Sequence, residues 1–328
     1  MRILIAAALF VTSFQAITQV AIEPVVRGAV DIFAAQYFDV ALSASVSTEI
    51  RRRLEAGQYA TLQTNQELAD RLTRDLLELT RDKHVAVGLR RAGTGSNNSA
   101  PRRDVPTAAG FRRTDILPGN IGLLDIAFFM RPVEHRDALE AAMRTLHSAD
   151  ALILDLRDNG GGSPGTVALL ISYLLDEPGR PLFEIRPRTG TADVYVTESV
   201  SPELRNGQRA VYVLTSRRTF SGGEGLAFLL QDMKRALVIG EITAGAANPG
   251  RGYPINEIFE IHVSNGQLLT ARSQRNWEGA GVVPDVPVAA ADALRVAHLR
   301  AIDDLLMRMP LGPQREELAR VRTLIKGA

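Results

Sequence analysis

The chain has 328 residues, enough for one large or two modest domains with a sizeable core. With 38 basic against 37 acidic residues, charge gives no reason to expect a nucleic acid or an anionic membrane as partner. The absence of cysteine excludes disulfides, thiolate metal sites and a cysteine nucleophile, and lysine is confined to Lys83, Lys234 and Lys326.

Met1-Arg2 and the apolar run Ile3–Val11 have the form of a secretory signal, so residues 1–20 are read as a leader and the chain as exported, periplasmic or extracellular. A short buried first helix would have the same pattern. The run is too short for a stable membrane span. From Val25 to Leu79 the periodicity is helical, with candidate helices at Val26–Tyr37, Thr48–Glu55 and Thr64–Leu79. The last opens on a capping box, Thr64 with Glu67, and carries the stripe Leu68, Leu72, Leu76 and Leu79. Residues 21–90 are therefore expected to form a small all-helical domain, ending in Asp82-Lys83-His84 and a short strand-like run, Val85-Ala86-Val87.

Residues 91–118 read as a linker or surface loop, because Gly93–Gly110 is rich in Gly, Ser, Asn, Pro and Arg. Asn97-Asn98-Ser99 fits a glycosylation acceptor, meaningful only if a eukaryote exports the chain. The stretch between His84 and Ile121 leaves no room for another folded domain, which needs at least about 50 residues.

Residues 119–328 alternate strands and helices, which predicts an α/β domain with a largely parallel sheet. Ile121–Phe129 and Ala151–Leu156 are strands, Arg136–His147 and Pro164–Leu175 helices, and Leu182–Arg186 and Asp193–Thr197 shorter strands. Next come the strand Ala210–Thr215, the turn Ser221-Gly222-Gly223, a helix carrying Leu226, Leu229, Leu230 and Met233, and the strand Ala236–Gly240. This unit predicts two parallel strands with Ser221 at the carboxyl end of the first. Phe259–Val263 and Gln267–Ala271 flank Ser264-Asn265-Gly266 and read as a hairpin. An amphipathic helix, Ala289–Met309, closes the pattern.

The carboxyl edge of a parallel sheet is where α/β folds place their sites, and a hydroxyl at a helix N-terminus suits a serine nucleophile; Ser221 could equally cap the helix. Asn159-Gly160-Gly161-Gly162 follows the strand Ala151–Leu156 and shares that edge, where its amides and that of Gly222 could face an oxyanion. A phosphate-binding loop or a plain sharp turn would use the same glycines, although the Lys-Ser/Thr of a P-loop is absent. Lys234 cannot be the base, since a helix rising about 1.5 Å per residue carries it on the order of 20 Å from Ser221. Lys83 or a histidine remains. His135, His147 and His298 fall in helix-like stretches and His262 in a strand, while His84 stands at a segment junction. Glu278, in Asn276-Trp277-Glu278-Gly279 beside the only tryptophan, could orient an imidazole or be a plain loop carboxylate.

Together, Asp82-Lys83-His84, Asp155–Gly162, Thr219-Phe220-Ser221-Gly222-Gly223-Glu224, Gly240–Gly245 and Asn276–Gly279 with Gly281–Asp285 resemble the tail-specific, or C-terminal processing, serine peptidases. The closer resemblance is to the branch of the tricorn core and the interphotoreceptor retinoid-binding protein repeats. It implies a crotonase-like ββα core, Ser221 as nucleophile, His84 as base, Glu278 in support, and Gly161 and Gly222 as oxyanion donors. The lysine-dependent branch places its base after Gly240-Glu241, where this chain has Thr243-Ala244-Gly245-Ala246-Ala247 and no lysine. The tricorn-like pattern has a serine where Lys83 stands, and the PDZ domain of the processing peptidases has no place in the short linker.

The expected function is a serine peptidase acting on peptide or protein substrates, without cofactor or metal. The alternative is a binding module for a lipid, another hydrophobic small molecule or a peptide on the same scaffold.

Overall fold

The computed structural model describes residues 21–90, 110–205 and 207–327. The leader, the body of the linker and the glycosylation tripeptide lie outside the described residues. No helix among those described is long and apolar enough to cross a membrane.

Three helices come first: α1 (Ile22–Gln36), α2 (Val40–Glu55) and α3 (Asn65–Thr80). The capping box of α3 forms as its sequence predicts, with Glu67 N donating to Thr64 Oγ1 at 3.1 Å and Thr64 N donating to Glu67 Oε2 at 3.1 Å. The helices do not enclose a core by themselves. Phe33, Ile50, Leu68 and Leu72 pack together with Phe259, Ile261 and Val263 from a strand late in the chain. The reason is β1 (Ala86–Leu89), which pairs antiparallel with β10 (Phe259–Ser264), itself paired with β9 (Gly250–Pro254). The helical segment thus shares its hydrophobic interior with a three-stranded sheet made by the second half of the chain.

The centre is a six-stranded sheet in the order β12-β8-β7-β4-β3-β2, formed by β2 (Phe111–Leu117), β3 (Ile121–Ile126), β4 (Ala151–Asp155), β7 (Ala210–Thr215), β8 (Leu237–Gly240) and β12 (Val286–Pro287). All neighbours are parallel except β2 and β3. The central strands are apolar throughout because helices cover both faces. On one face, α4 (Pro132–Thr145), α5 (Pro164–Leu174) and α6 (Gly222–Asp232) bury Leu139, Leu170 and Leu226 against Leu124, Leu154 and Val213. On the other, Ala293, Ala297 and Ala301 of α7 (Ala290–Arg308) lie close over Ile153, Tyr212 and Ile239, with Leu318 of α8 (Pro313–Gly327) beside them. A third sheet, in the order β11-β5-β6, joins β11 (Gly266–Thr270), β5 (Pro181–Pro187) and β6 (Asp193–Val196). The observed fold is the mixed α/β architecture expected, with its helices first.

Two expectations are corrected. The segment read as a linker to residue 118 ends in a strand: β2 pairs along β3 as the outermost strand, and its mixed sequence FRRTDIL lacks the apolar signature because one edge and much of its surface stay in solvent. Phe259–Val263 and Gln267–Ala271 are not a hairpin. Asn265 carries the chain from one sheet to another, β10 pairing with β1 and β9 and β11 with β5. A single connecting residue cannot form a two-residue hairpin loop, and the local turn signature is the same for a sheet-to-sheet corner.

Candidate active site

β7 ends at Thr215 and α6 begins at Gly222, so the chain must reverse between them. The turn is fixed to the neighbouring parallel strand: Thr219 Oγ1 donates to Leu156 O at 2.7 Å, and Phe220 N to Asn159 O at 3.0 Å. Ser221, the last residue before α6, is held at φ +50° and ψ −118°, a conformation that side-chain-bearing residues rarely adopt. A strained serine between a strand and a helix is the arrangement by which α/β-hydrolases present a nucleophile at a sheet edge.

His84 reaches this serine across 137 positions, with Nε2 3.0 Å from Ser221 Oγ. Its placement begins at the end of α3, where Arg81 takes a left-handed conformation and turns the chain. The buried Asp82 then accepts from His84 N at 2.9 Å through Oδ1 and from Tyr37 Oη at 3.2 Å through Oδ2. On the far side His262 Nδ1 donates to His84 O at 2.8 Å, so β10 holds the histidine's backbone as well. Burial, with His262 nearby, brings the His84 imidazole down to about 3. The ring is therefore neutral at ordinary pH.

Glu278 anchors one oxygen on the backbone: Oε2 accepts from Ala247 N at 2.7 Å and Asn248 N at 2.9 Å. Its Oε1 and the Nδ1 of His84 are both buried without a hydrogen-bond partner. A ring nitrogen of His84 and one carboxylate oxygen from each of Glu278 and Asp82 lie within 4.8 Å of one another. Among the described residues, Asp82, His84 and Glu278 are the group close enough to share a cation. Burial, reinforced by Asp82, raises the Glu278 carboxyl to about 7, and burial raises Asp82 also.

The glycine turn after β4 packs directly on the serine. At Gly161, with φ +96°, an added Cβ would stand 2.7 Å from Ser221 Cβ and 3.0 Å from Gly222 N. The Gly161 amide does not point into open space: it donates to Asn159 Oδ1 at 2.8 Å, while the Asn159 amide group donates to Ile126 O at 2.9 Å. Gly222 is the first residue of α6, where an amide has no intrahelical acceptor. Lys83 is tied to this region without touching the serine, its Nζ donating to Ala244 O.

A cleft of about 690 Å³ opens on His84, Ser221 and Gly222. Its inner wall is apolar, formed by Phe129, Val167, Phe183, Leu229, Leu268 and Trp277, and its charged residues Arg131, Glu134 and Arg251 are exposed. The structure thus brings together all five residues singled out from the sequence. Sequence reasoning gave no role to Asp82, Tyr37 or His262, which hold the histidine. The spacing Asp82-x-His84, suited to a side-chain-to-backbone turn, is the signal that could have found the first.

Residues 120–288, just over half of the chain, match the family described as peptidase family S41, and residues 9–113 match the N-terminal domain of that family in eukaryotic IRBP. Carboxyl-terminal-processing peptidase 2, chloroplastic, of Arabidopsis thaliana is 30% identical over 185 residues, covering 52% of this chain and 34% of that protein. The tail-specific protease of Haemophilus influenzae is 28% identical over 144 residues, 44% of this chain and 20% of that protein. The matched region therefore spans about a third of the first relative's length and a fifth of the second's. Among solved structures, a lipoprotein from Streptococcus agalactiae superposes with a TM-score of 0.55 at 16% identity, covering 85% of this chain and 96% of that one. The photosystem II D1 C-terminal processing protease gives 0.51 at 16% identity, covering 83% and 94%. The tricorn protease gives 0.52 at 15% identity, covering 89% and 36%. At these identities the superpositions establish the fold alone.

Proposed function

The chain belongs to peptidase family S41, and from that premise we propose that it is a serine peptidase using Ser221, His84 and Glu278. The observation that carries the reading is the 3.0 Å contact between His84 Nε2 and Ser221 Oγ, made by a neutral imidazole on a strained serine. His84 takes the Oγ proton as the oxygen attacks the carbonyl carbon of a peptide. The negative charge of Glu278 supports the imidazolium that forms. The oxyanion develops at the head of α6, where the Gly222 amide donates, and Gly161 N–H joins by exchanging Asn159 Oδ1 for the new oxygen. The imidazolium returns its proton to the leaving amine, and water, activated by the same ring, hydrolyses the acyl-enzyme. The apolar inner wall of the cleft favours a hydrophobic side chain beside the scissile bond. The relatives named for carboxyl-terminal processing make a polypeptide the first substrate to try.

Labelling of purified protein with a fluorophosphonate probe tests this. Wild type is expected to label, and Ser221→Ala and His84→Ala to lose labelling while remaining folded; full labelling of His84→Ala would remove the histidine from its role. The apolar wall, together with the IRBP-type N-terminal match, supports a second reading, a binding module for hydrophobic small molecules. That reading expects no labelling, and saturable binding that survives Ser221→Ala. Export belongs to the same proposal and is checked by fractionating cells that express the full chain.

A further inference from the structure

Glu224 stands three residues after Ser221, in the first turn of α6, where an exposed carboxylate would ordinarily serve as a cap. Here it is fully buried, and among the described residues no cationic side chain forms an ion pair with it. A buried anion is costly unless its oxygens are satisfied, and four donors converge on this one. Oε1 accepts from Thr243 Oγ1 at 2.6 Å and Gly245 N at 2.5 Å, and Oε2 accepts from Ser221 N at 2.8 Å and Ala246 N at 3.0 Å. Burial raises this carboxyl, and the four donors oppose the rise.

The donors come from two places that a peptidase must keep in register. One is the amide of the strained Ser221. The others belong to Thr243–Ala246, whose continuation, Ala247 and Asn248, supplies both amides that anchor Glu278. Trp277 Nε1 donates to Ala246 O at 3.1 Å, and Lys83 Nζ donates to Ala244 O, so the segment is also fixed from the two ends of the triad.

Resting on the function proposed above, we infer that Glu224 is a positioning residue of the site. Its carboxylate holds the Ser221 backbone in place and couples the nucleophile's turn to the segment on which Glu278 is mounted. A carboxylate that merely capped α6 or filled space would be replaced by glutamine with little effect on chemistry. Glutamine has the same shape but offers one acceptor oxygen, and its NH2 would confront two of the four donors.

Saturation kinetics of fluorophosphonate labelling separate binding from reaction. For Glu224→Gln the maximal labelling rate is expected to fall about a hundredfold, the cost of misplacing a nucleophile by about an ångström, with the probe's half-saturating concentration unchanged. Glu224→Asp keeps the charge but is too short to reach both sides, so it is expected to lose the rate as well, and it decides the matter if the glutamine variant does not fold. A wild-type labelling rate in either folded variant overturns the inference. Hydrogen exchange at the amides of Ser221, Gly245 and Ala246 is expected to accelerate in the variants and needs no catalysis. Faster exchange in a chain whose wild type does not label would therefore preserve the brace and refute the peptidase reading. Unchanged exchange would refute the brace itself.

Discussion

Substituting Glu278 by glutamine tests the charge beneath the histidine. The substitution preserves shape, and its carbonyl oxygen can keep the two bonds from Ala247 N and Asn248 N. What it removes is a negative charge within 4.8 Å of a ring nitrogen of His84. At an effective dielectric constant of about 20, that separation is worth about 3 kcal/mol toward an imidazolium, roughly two decades in acylation rate. The pH dependence carries the same information. With its carboxyl raised to about 7 by burial and by Asp82, Glu278 ionises as the pH passes through neutrality, so wild-type labelling should climb across that range and the glutamine variant should not. The effect on stability has the opposite sign. A carboxyl that binds its proton more tightly in the folded state gives its full stabilisation below the ordinary carboxylate range and loses it as the pH rises through about 7. Glu278→Gln should therefore melt above wild type in mildly alkaline buffer and level with it in acid. Labelling rates by fluorophosphonate and melting curves across pH measure both effects. An unchanged rate, with the climb through neutrality intact in the variant, would refute the reasoning.

Other perturbations separate the turn from its surroundings. Gly161→Ala places a methyl 2.7 Å from Ser221 Cβ at a φ of +96°, so urea unfolding should show a loss of about 2–4 kcal/mol and labelling should nearly vanish. A wild-type midpoint would mean that the turn can relax. Lys83→Ala removes one bond from an exposed side chain to Ala244 O, expected to cost about 1 kcal/mol and to leave labelling within about tenfold of wild type. Complete loss of labelling there would bring Lys83 into the proton transfer. Tyr37→Phe takes one donor from the buried Asp82 and should lower thermal stability by about 1–2 kcal/mol, with a smaller loss of labelling than His84→Ala.

The sequence by itself determined the parts whose causes are local. The capping box of α3, the apolar runs of β4 and β7, the glycine turn after β4 and the stripe of α6 each carry their structure within a dozen residues, and the resemblance joined them into one family. Elements with weaker local signals were misread or passed over. β2 and β9 are outer strands of mixed composition, α8 lies beyond the last predicted helix with only Leu318, Val321, Leu324 and Ile325 to mark it, and the corner at Asn265 is indistinguishable from a hairpin along the chain. Only the tertiary structure decided how His84, Ser221 and Glu278 stand to one another. His84 is carried to the serine because β1 pairs with β10 and because α1 to α3 bury their apolar faces on that strand. Glu224 likewise reads as an ordinary helix cap until the fold closes the Thr243–Ala246 segment over it. Contacts made by sheet pairing and shared burial between distant segments leave no periodic trace in either segment alone.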